Sequence, residues 1–449
     1  MRIRLYIIIC ILLLASMSDS CATGENTLTY NERSKNKDSL AIREGILSKH
    51  AQKINYKKNG KTLAWIELSE PVLVAQAEQE EKWGYFQFPT IGRSIDGDLI
   101  VKWSMNEDSH KSYGKKTERN NNSMISKDGG KTWHPQGNKS QDIFEGYNIN
   151  LNNGNRLQVC TPPSKDVKKY KTFPKAIIKE GRYAYYRMKD LPKDLQGVYF
   201  TYTDANNNSR QIHSGLNDST LLRYSIDELM PIVWWGNIKQ LTDKTLLAGV
   251  YPARYMGEDG FSVKKGVAFY KSLDEGKSWN VISKILYENN DNMKNKDEGE
   301  FTEPTFEILS DSSMICVMRS GSTSPMYKSF SDDFGVTWTI PEPFTSNGVK
   351  PTLTLLKNGI LVLVSGRPGI QIRFSFDGTG KEWSDPVDML PFIRPDGTYE
   401  RDVSCGYPAI LEIDRNSFLL VYSDFTTYNL FGKKRKSIWS RRIKVIGLK

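Results

Sequence analysis

Four stretches of the chain repeat one set of side chains at one spacing. They read SKDGGKTW (126–133), SLDEGKSW (272–279), SDDFGVTW (331–338) and SFDGTGKEW (375–383), the last with one extra residue. A hydroxyl two residues from a carboxylate raises the question of catalysis. The other members of the set argue for architecture. An Asp in a turn accepts backbone N–H bonds, the Gly supplies positive φ, and the Trp can pack beneath the turn. A hairpin clip of this kind recurs because the unit carrying it recurs. Other chemical constellations are missing. There is no G-x-S-x-G elbow and no Gly-rich phosphate loop. The four histidines, His50, His110, His134 and His213, have no metal-ligand spacing. Cys160, Cys316 and Cys405 are far apart, which allows one disulfide and no CxxC site, and Cys316 in MICVMRS reads as a small buried hydrophobe.

The elements that would carry these residues are strands. The chain has 449 residues, 38% hydrophobic and 11% aromatic. Short β-branched and aromatic runs alternate with DG, NG and GG turns, as in DGDLIVKWSM (96–105), SMICVMRS (313–320) and NGILVLVSG (358–366). This predicts an all-β fold of hairpins, with DSTLLRYSIDELMPIV (218–233) ambiguous between helix and strand. The boxes begin at 126, 272, 331 and 375, so the gaps are 146, 59 and 44 residues. A unit of about 45–60 residues fits four antiparallel strands, the size of a propeller blade. The long gap would hold blades whose box has decayed, one of them at TYTDANNNSRQ (201–211). Residues 64–449 then give six to eight blades, and six enlarged ones are expected.

The ends read differently. Two arginines precede an apolar run from Leu5 to Ala15, the pattern of an export signal over residues 1–22. Cys21 is a candidate lipid acceptor, competing with cleavage after Ala22. Residues 23–63 read as a tether or a short helix near DSLAIREGILSKHAQKI (38–54). The chain is thus expected to be exported, whether periplasmic, anchored at the cell surface or secreted. Net charge is +10, and the one dense basic run is GKKRKSIWSRRIK (432–444). Its Ile-x-Trp core reads as an edge strand carrying lysines, and no nucleic-acid partner is expected of an exported protein.

The four boxes resemble the Asp-box (BNR) repeats of the sialidase superfamily, over roughly residues 64–449. The resemblance implies a six-bladed β-propeller of four-stranded antiparallel blades. It also implies a site in which arginines hold a sugar carboxylate, a Tyr attacks the anomeric carbon, a Glu serves as its base and an Asp as acid/base. The chemistry is coherent. A phenol avoids the repulsion that a carboxylate nucleophile would meet from an anionic sugar. With an ordinary pKa near 10 it needs an adjacent base, and Arg grips carboxylates bidentately. Carried over residue by residue, EFTEPTFEILSDSSMICVMRSG (300–321) supplies Glu303 and Arg319, 16 residues apart across a turn and able to face one centre from neighbouring strands. LVSGRPGIQIRFSFDG (363–378) supplies Arg367, in a Gly-Arg-Pro-Gly context expected to let backbone crowd a ligand. DVSCGYPAILEID (402–414) supplies Tyr407. Asp108 in MNEDSHKSYG is the candidate acid, with Glu107 and His110 close by. The pattern departs at the first blade, YFQFPTIGRSIDGDLI (85–100), where Gln87 stands in the clamp position and Arg93 comes six residues later. Arg254 is a further candidate for substrate contact, set against a solvated loop residue. Trp234 and Trp235 are either a sugar-stacking platform or core.

The function implied is that of an exported exo-glycosidase acting on a terminal acidic sugar, sialic acid or a relative, with retention and without a cofactor or metal. A monomer is expected. The alternatives are a non-catalytic glycan-binding propeller, which Gln87 favours, and a lyase or glycosidase acting on uronic acid.

Overall fold

Burial along the strands explains how they stack. Leu361–Gly366 and Ser417–Asp424 are buried at every position. Strands covered on both faces carry continuous apolar stretches, Leu361–Val364 and Phe418–Tyr422 here, because their sheets are packed between neighbours. Leu99–Met105, nearer a surface, buries Val101, Trp103 and Met105 but leaves Lys102 and Ser104 half-buried.

The computed structural model describes residues 27–29, 50–58, 60–94, 96–115, 122–136, 143–144, 148–288, 299–390 and 403–448. The expected export signal and Cys21 lie outside these residues. Among the described residues all long elements are strands, with three single-turn 3₁₀ segments between Val167 and Leu195. The repeating unit is a four-stranded antiparallel sheet. Clear examples are Thr302–Ile308, Met314–Arg319, Met326–Ser331 and Glu342–Pro343, followed by Val349–Leu355, Leu361–Gly366, Ile370–Ser375 and Val387–Leu390. Similar sheets open with Tyr85–Arg93, Asn148–Asn150, Trp235–Gln240 and Ala409–Asp414. The sheets opened by Asn148 and Trp235 are joined where Gly215–Asn217 runs parallel to Ser278–Asn280. A five-stranded sheet drawn from residues 165–230 stands apart from this series. From Asn148–Asn150 onward the opening strands of successive sheets touch in turn, the last touches Tyr85–Arg93, and Ile143–Phe144 bridges Tyr85–Arg93 to Asn148–Asn150, in a propeller-like arrangement around one cavity.

The boxes are clips in the third-to-fourth strand turns. In each of the three regular copies outside 375–383 the Asp accepts from the residue four positions on, as in Thr337 N–H to Asp333 at 2.8 Å and Thr337 Oγ1–H to Asp333 at 2.6 Å. The Ser hydroxyl donates to the Asp and accepts the Gly N–H, as Ser331 does at 2.8 and 2.9 Å. None of the four Asp side chains lines the cavity. The turn at Asp204, expected as a decayed box, occupies the same place in its sheet and keeps the Asp bonds to the N–H groups of Asn206 and Asn208, at 2.9 and 2.8 Å, and to the Asn208 side-chain amide at 3.0 Å, without the Ser and Trp.

This geometry has a pH signature. The Thr337 hydroxyl, and then its N–H, hold the Asp333 carboxyl down at about 2, and Thr132 depresses Asp128 in the same way. A carboxylate depressed in the fold adds stability that is fully present above its ordinary value near 4 and is lost as pH falls toward the folded value. The melting-temperature gap between the wild type and Asp333→Asn should therefore be constant above about pH 5 and close between about pH 4 and 2. A gap unchanged down to pH 2 would show that the charge is not what the turn uses.

Several expectations are corrected. Sheet structure begins ahead of residue 64, with Gln52–Lys58 and Lys61–Leu68, so the segment expected as tether or helix ends in strand. The ambiguous stretch at 218–233 forms the strands Leu222–Ile226 and Leu229–Met230. Ser437–Gly447 is not an edge strand. It is paired on one side by Ser417–Asp424 and on the other by Val72–Gln76 and Lys61–Leu68. Its Arg441 is 1% exposed and bonds the carbonyls of Ser69 and His50 at 2.6 and 2.5 Å, so this cation serves the sheet closure. Cys160, Cys316 and Cys405 are free thiols.

Candidate active site

Three of the opening strands begin with the same local device. Phe88, Glu303 and Lys350 each precede a proline and adopt positive φ, at 52°, 48° and 47°. In each strand the pairing register slips across that point, between Gln87 and Thr90, Thr302 and Thr305, and Val349 and Thr352. Proline lacks the N–H that a regular ladder would use. The resulting bulge re-aims the preceding side chain, and all three residues line the cavity. Tyr407 also precedes a proline, just ahead of the strand Ala409–Asp414, and lines the cavity, without the positive φ of the other three.

The cavity measures about 1520 Å³. Within it the structure brings together Tyr407, Glu303 and Arg319. The Tyr407 hydroxyl donates a short bond to Glu303 Oε1. Arg319 Nη1 donates to that same oxygen at 2.8 Å and to the Tyr407 hydroxyl at 3.1 Å. Glu303 Oε2 accepts the Lys350 backbone N–H at 2.8 Å. Arg319 is fixed further by Gly321 O at 2.8 Å and Ser322 Oγ at 3.0 Å. Four of the five guanidinium N–H donors are thus engaged, and Arg319 has one left for a ligand. The Phe88 ring meets Tyr407 edge-on at 4.9 Å.

Burial raises the Tyr407 pKa well above its ordinary value. Glu303 adds to the rise, while Arg319 and Arg367 oppose it. The phenol is therefore protonated at rest, and Glu303 is the carboxylate within reach of its proton. Burial works against the charge on Arg319, but Glu303 outweighs it and holds the guanidinium firmly protonated.

Arg367 lies close enough to Tyr407 to act on its ionisation. Among the described residues its guanidinium has no hydrogen-bond or ion-pair partner. Its place is set by a close approach of two backbones. A Cβ on Gly366 would fall 2.1 Å from Gly406 O, and one on Gly406 would fall 3.0 Å from Arg367 Cγ. The crowding expected from Gly-Arg-Pro-Gly is therefore against the neighbouring sheet that carries Tyr407, not against a ligand. Gly366→Ala should push the Tyr407 segment away, lowering stability by about 1–3 kcal/mol and activity with it. A variant with normal melting and normal turnover would show that the contact does not position Tyr407.

Asp108 sits on an exposed turn at the cavity wall and accepts from Trp83 Nε1 at 3.0 Å. Glu107 and His110 do not line the cavity, and His110 instead faces Asp227 at 3.8 Å. The two tryptophans part company. Trp234 is 5% exposed and packs in the core against Phe200 and Trp279, whereas Trp235 lines the cavity with Tyr113 edge-on at 5.1 Å and Tyr251 at 5.6 Å. Gln87 is fully buried, outside the cavity lining, and its amide O and N have no hydrogen-bond partner among the described residues. In this conformation it presents no surface to a ligand. Arg254 is not on a solvated loop. It is 9% exposed in the strand Leu246–Met256, paired with Glu300 and outside the cavity lining. Arg93 lines the cavity six residues along its strand from Gln87 and bonds the carbonyls of Gly97 and Glu412, both at 3.2 Å. Lys350 was missed from sequence, although the recurring X-Pro at Phe88, Glu303, Lys350 and Tyr407 is a signal that finds it. Among the described residues no group of three or more His, Cys, Asp or Glu is placed to hold a metal ion.

Comparison with known proteins adds the following. The BNR/Asp-box repeat family model matches residues 124–135, the first box. No curated protein matches the chain. A protein of unknown function from Dyadobacter fermentans superposes with a TM-score of 0.54 at 16% identity, covering 85% of this chain and 99% of that one. A Penicillium chrysogenum alpha-L-arabinanase complexed with arabinobiose gives 0.48 at 14% identity, covering 83% and 98%. The Hadza microbial sialidase Hz136 gives 0.45 at 14% identity, covering 81% and 65%. The chain carries the Asp-box repeat and shares the all-β fold of the Dyadobacter protein.

Proposed function

We propose that this Asp-box chain is an exported exo-glycosidase on a six-bladed propeller, removing a terminal acidic sugar from glycans with retention. The observation that carries the reading is the Tyr407 hydroxyl held between the Glu303 carboxylate and the Arg319 guanidinium. A half-buried phenol in hydrogen-bond contact with a buried carboxylate is a nucleophile with its base. The six opening strands that meet around the cavity, each starting one sheet of the series, support the blade count.

The steps balance as follows. Tyr407 Oη attacks the anomeric carbon while Glu303 takes its proton, and the bond to the leaving oxygen breaks as Asp108 gives that oxygen a proton. Water then attacks the glycosyl-tyrosine, losing its proton to Asp108, and the phenol recovers its own from Glu303. The one free N–H of Arg319 meets the sugar's anion, and Arg367, outside the cavity lining, adds positive charge beside Tyr407. No cofactor is required.

The test is release of sugar from a panel of sialylated and uronate-bearing glycans, with the first-formed anomer followed by NMR. A retained product supports the Tyr407 mechanism, and an inverted one removes Tyr407 from the nucleophile's role. Binding across the panel with no sugar released would favour the glycan-binding alternative, and an unsaturated product would identify a lyase.

A further inference from the structure

Between the second and third strands of the last sheet, residues 425–436 leave as a tight hairpin. Asn429 N–H bonds Lys433 O at 2.9 Å, Gly432 N–H bonds Asn429 O at 3.0 Å, and Arg435 N–H bonds Thr427 O at 2.8 Å. The Asn429 side chain accepts the N–H groups of Phe431 and Lys433, both at 3.0 Å. This bonding holds Leu430 and Phe431 at the tip, where they are 102% and 85% exposed. Apolar side chains displayed this fully on an ordered turn mark a contact surface.

Four cations follow the tip, Lys433, Lys434, Arg435 and Lys436. The last two are engaged at the base. Arg435 bonds Glu78 O at 3.4 Å, and Lys436 bonds Lys82 O at 2.6 Å beneath the ring of Phe425. Lys433 and Lys434 are exposed, Lys434 with its ammonium 5.9 Å over the Tyr428 ring, and both can still reach an outside partner. Tyr428 and Trp83, 59% and 42% exposed, stand at the shoulders of the hairpin, Trp83 edge-on to Phe425 at 6.2 Å. The equivalent second-to-third turn of another sheet, residues 320–325, lines the cavity with Ser320, Gly321 and Ser322. The hairpin therefore projects on the face where the cavity opens, and Trp83 joins its root to Asp108.

We propose that this hairpin docks the protein on an anionic lipid surface. Leu430 and Phe431 enter the acyl boundary, Tyr428 and Trp83 lie at headgroup depth, and Lys433 and Lys434 meet the lipid phosphates. An apolar tip leading, with aromatic and cationic groups behind it, is the order in which a bilayer presents its own layers. An acidic polysaccharide would satisfy the lysines but leave Leu430 and Phe431 in water. The docked protein would turn its cavity toward glycans carried by that surface.

The test is co-sedimentation of the full chain with phosphatidylcholine vesicles and with vesicles containing one-third phosphatidylglycerol. Binding should need the anionic lipid and weaken in 0.5 M salt. It should fall about tenfold in Leu430→Ser/Phe431→Ser and by a similar factor in Lys433→Glu/Lys434→Glu, with melting temperature unchanged because these side chains are in solvent. Anionic-vesicle binding equal in wild type and both variants would place the affinity elsewhere, in the apolar N-terminal run for instance, and overturn the proposal. So would absence of vesicle binding. Retention of an acidic polysaccharide by the tip variant but not by the lysine variant, without vesicle binding, would assign the hairpin to glycan instead.

Discussion

Tyr407→Phe is expected to lower glycoside hydrolysis on the order of 10³-fold or more, equivalent to about 4 kcal/mol of transition-state stabilisation, while leaving the fold intact. The substitution removes one oxygen and keeps the ring against Phe88. Glu303 retains Arg319 and the Lys350 N–H as partners, so no charge is left buried and unpaired. Glu303→Gln should cost less, about 10²–10⁴-fold, because the phenol survives and only its base is lost. Substrate binding should change little in either variant, so the loss should fall on kcat. Turnover of Tyr407→Phe within tenfold of wild type would exclude the phenol as nucleophile.

Trp279→Ala should be the most damaging change to a box. Its side chain is 0% exposed, donates to Gly276 O at 3.1 Å, and packs on Phe200 and Trp234 at 5.9 and 5.1 Å. Truncating a buried Trp to Ala costs about 3–5 kcal/mol through lost burial and the cavity left behind. The other box tryptophans, Trp133, Trp338 and Trp383, are only partly buried and should cost less. Urea unfolding midpoints of the four Ala variants check the ranking. A Trp279 variant no weaker than the others would mean that the clip, not the packing, is what the Trp serves.

The repeating sheet was legible because it is written locally. Each box holds its own turn through bonds that span two to five residues, so spacing alone reveals it. Glu303 and Arg319 were legible as a pair for the same reason, since they sit on the two strands of one hairpin. What sequence could not resolve depends on contacts between sheets. Whether Trp234 or Trp235 faces the core follows from which side of a strand is covered. Gln87 was assigned to the clamp by alignment with Pro89, but the bulge ahead of that proline sends Phe88 into the cavity and leaves the amide buried. Arg254 read as a substrate contact or a loop residue because Glu300, its partner, is distant in sequence. The basic run at 432–444 read as an edge because the strands that cover it come from the other end of the chain.

That last pairing sets a clock for folding. Gln76 bonds Ser437 across 361 residues, so Val72–Gln76 leaves the ribosome on the order of 20–70 s before its partner at synthesis rates of about 5–20 residues per second. Throughout that interval the strand offers unpaired backbone groups to any other chain. The arrangement also has a high contact order, which slows refolding of the whole chain. Tyr407 stands at the entry to that same late-made sheet, so its meeting with Glu303 and Arg319 and the pairing of the sheet with the early-made strand both wait on the C-terminal part of the chain.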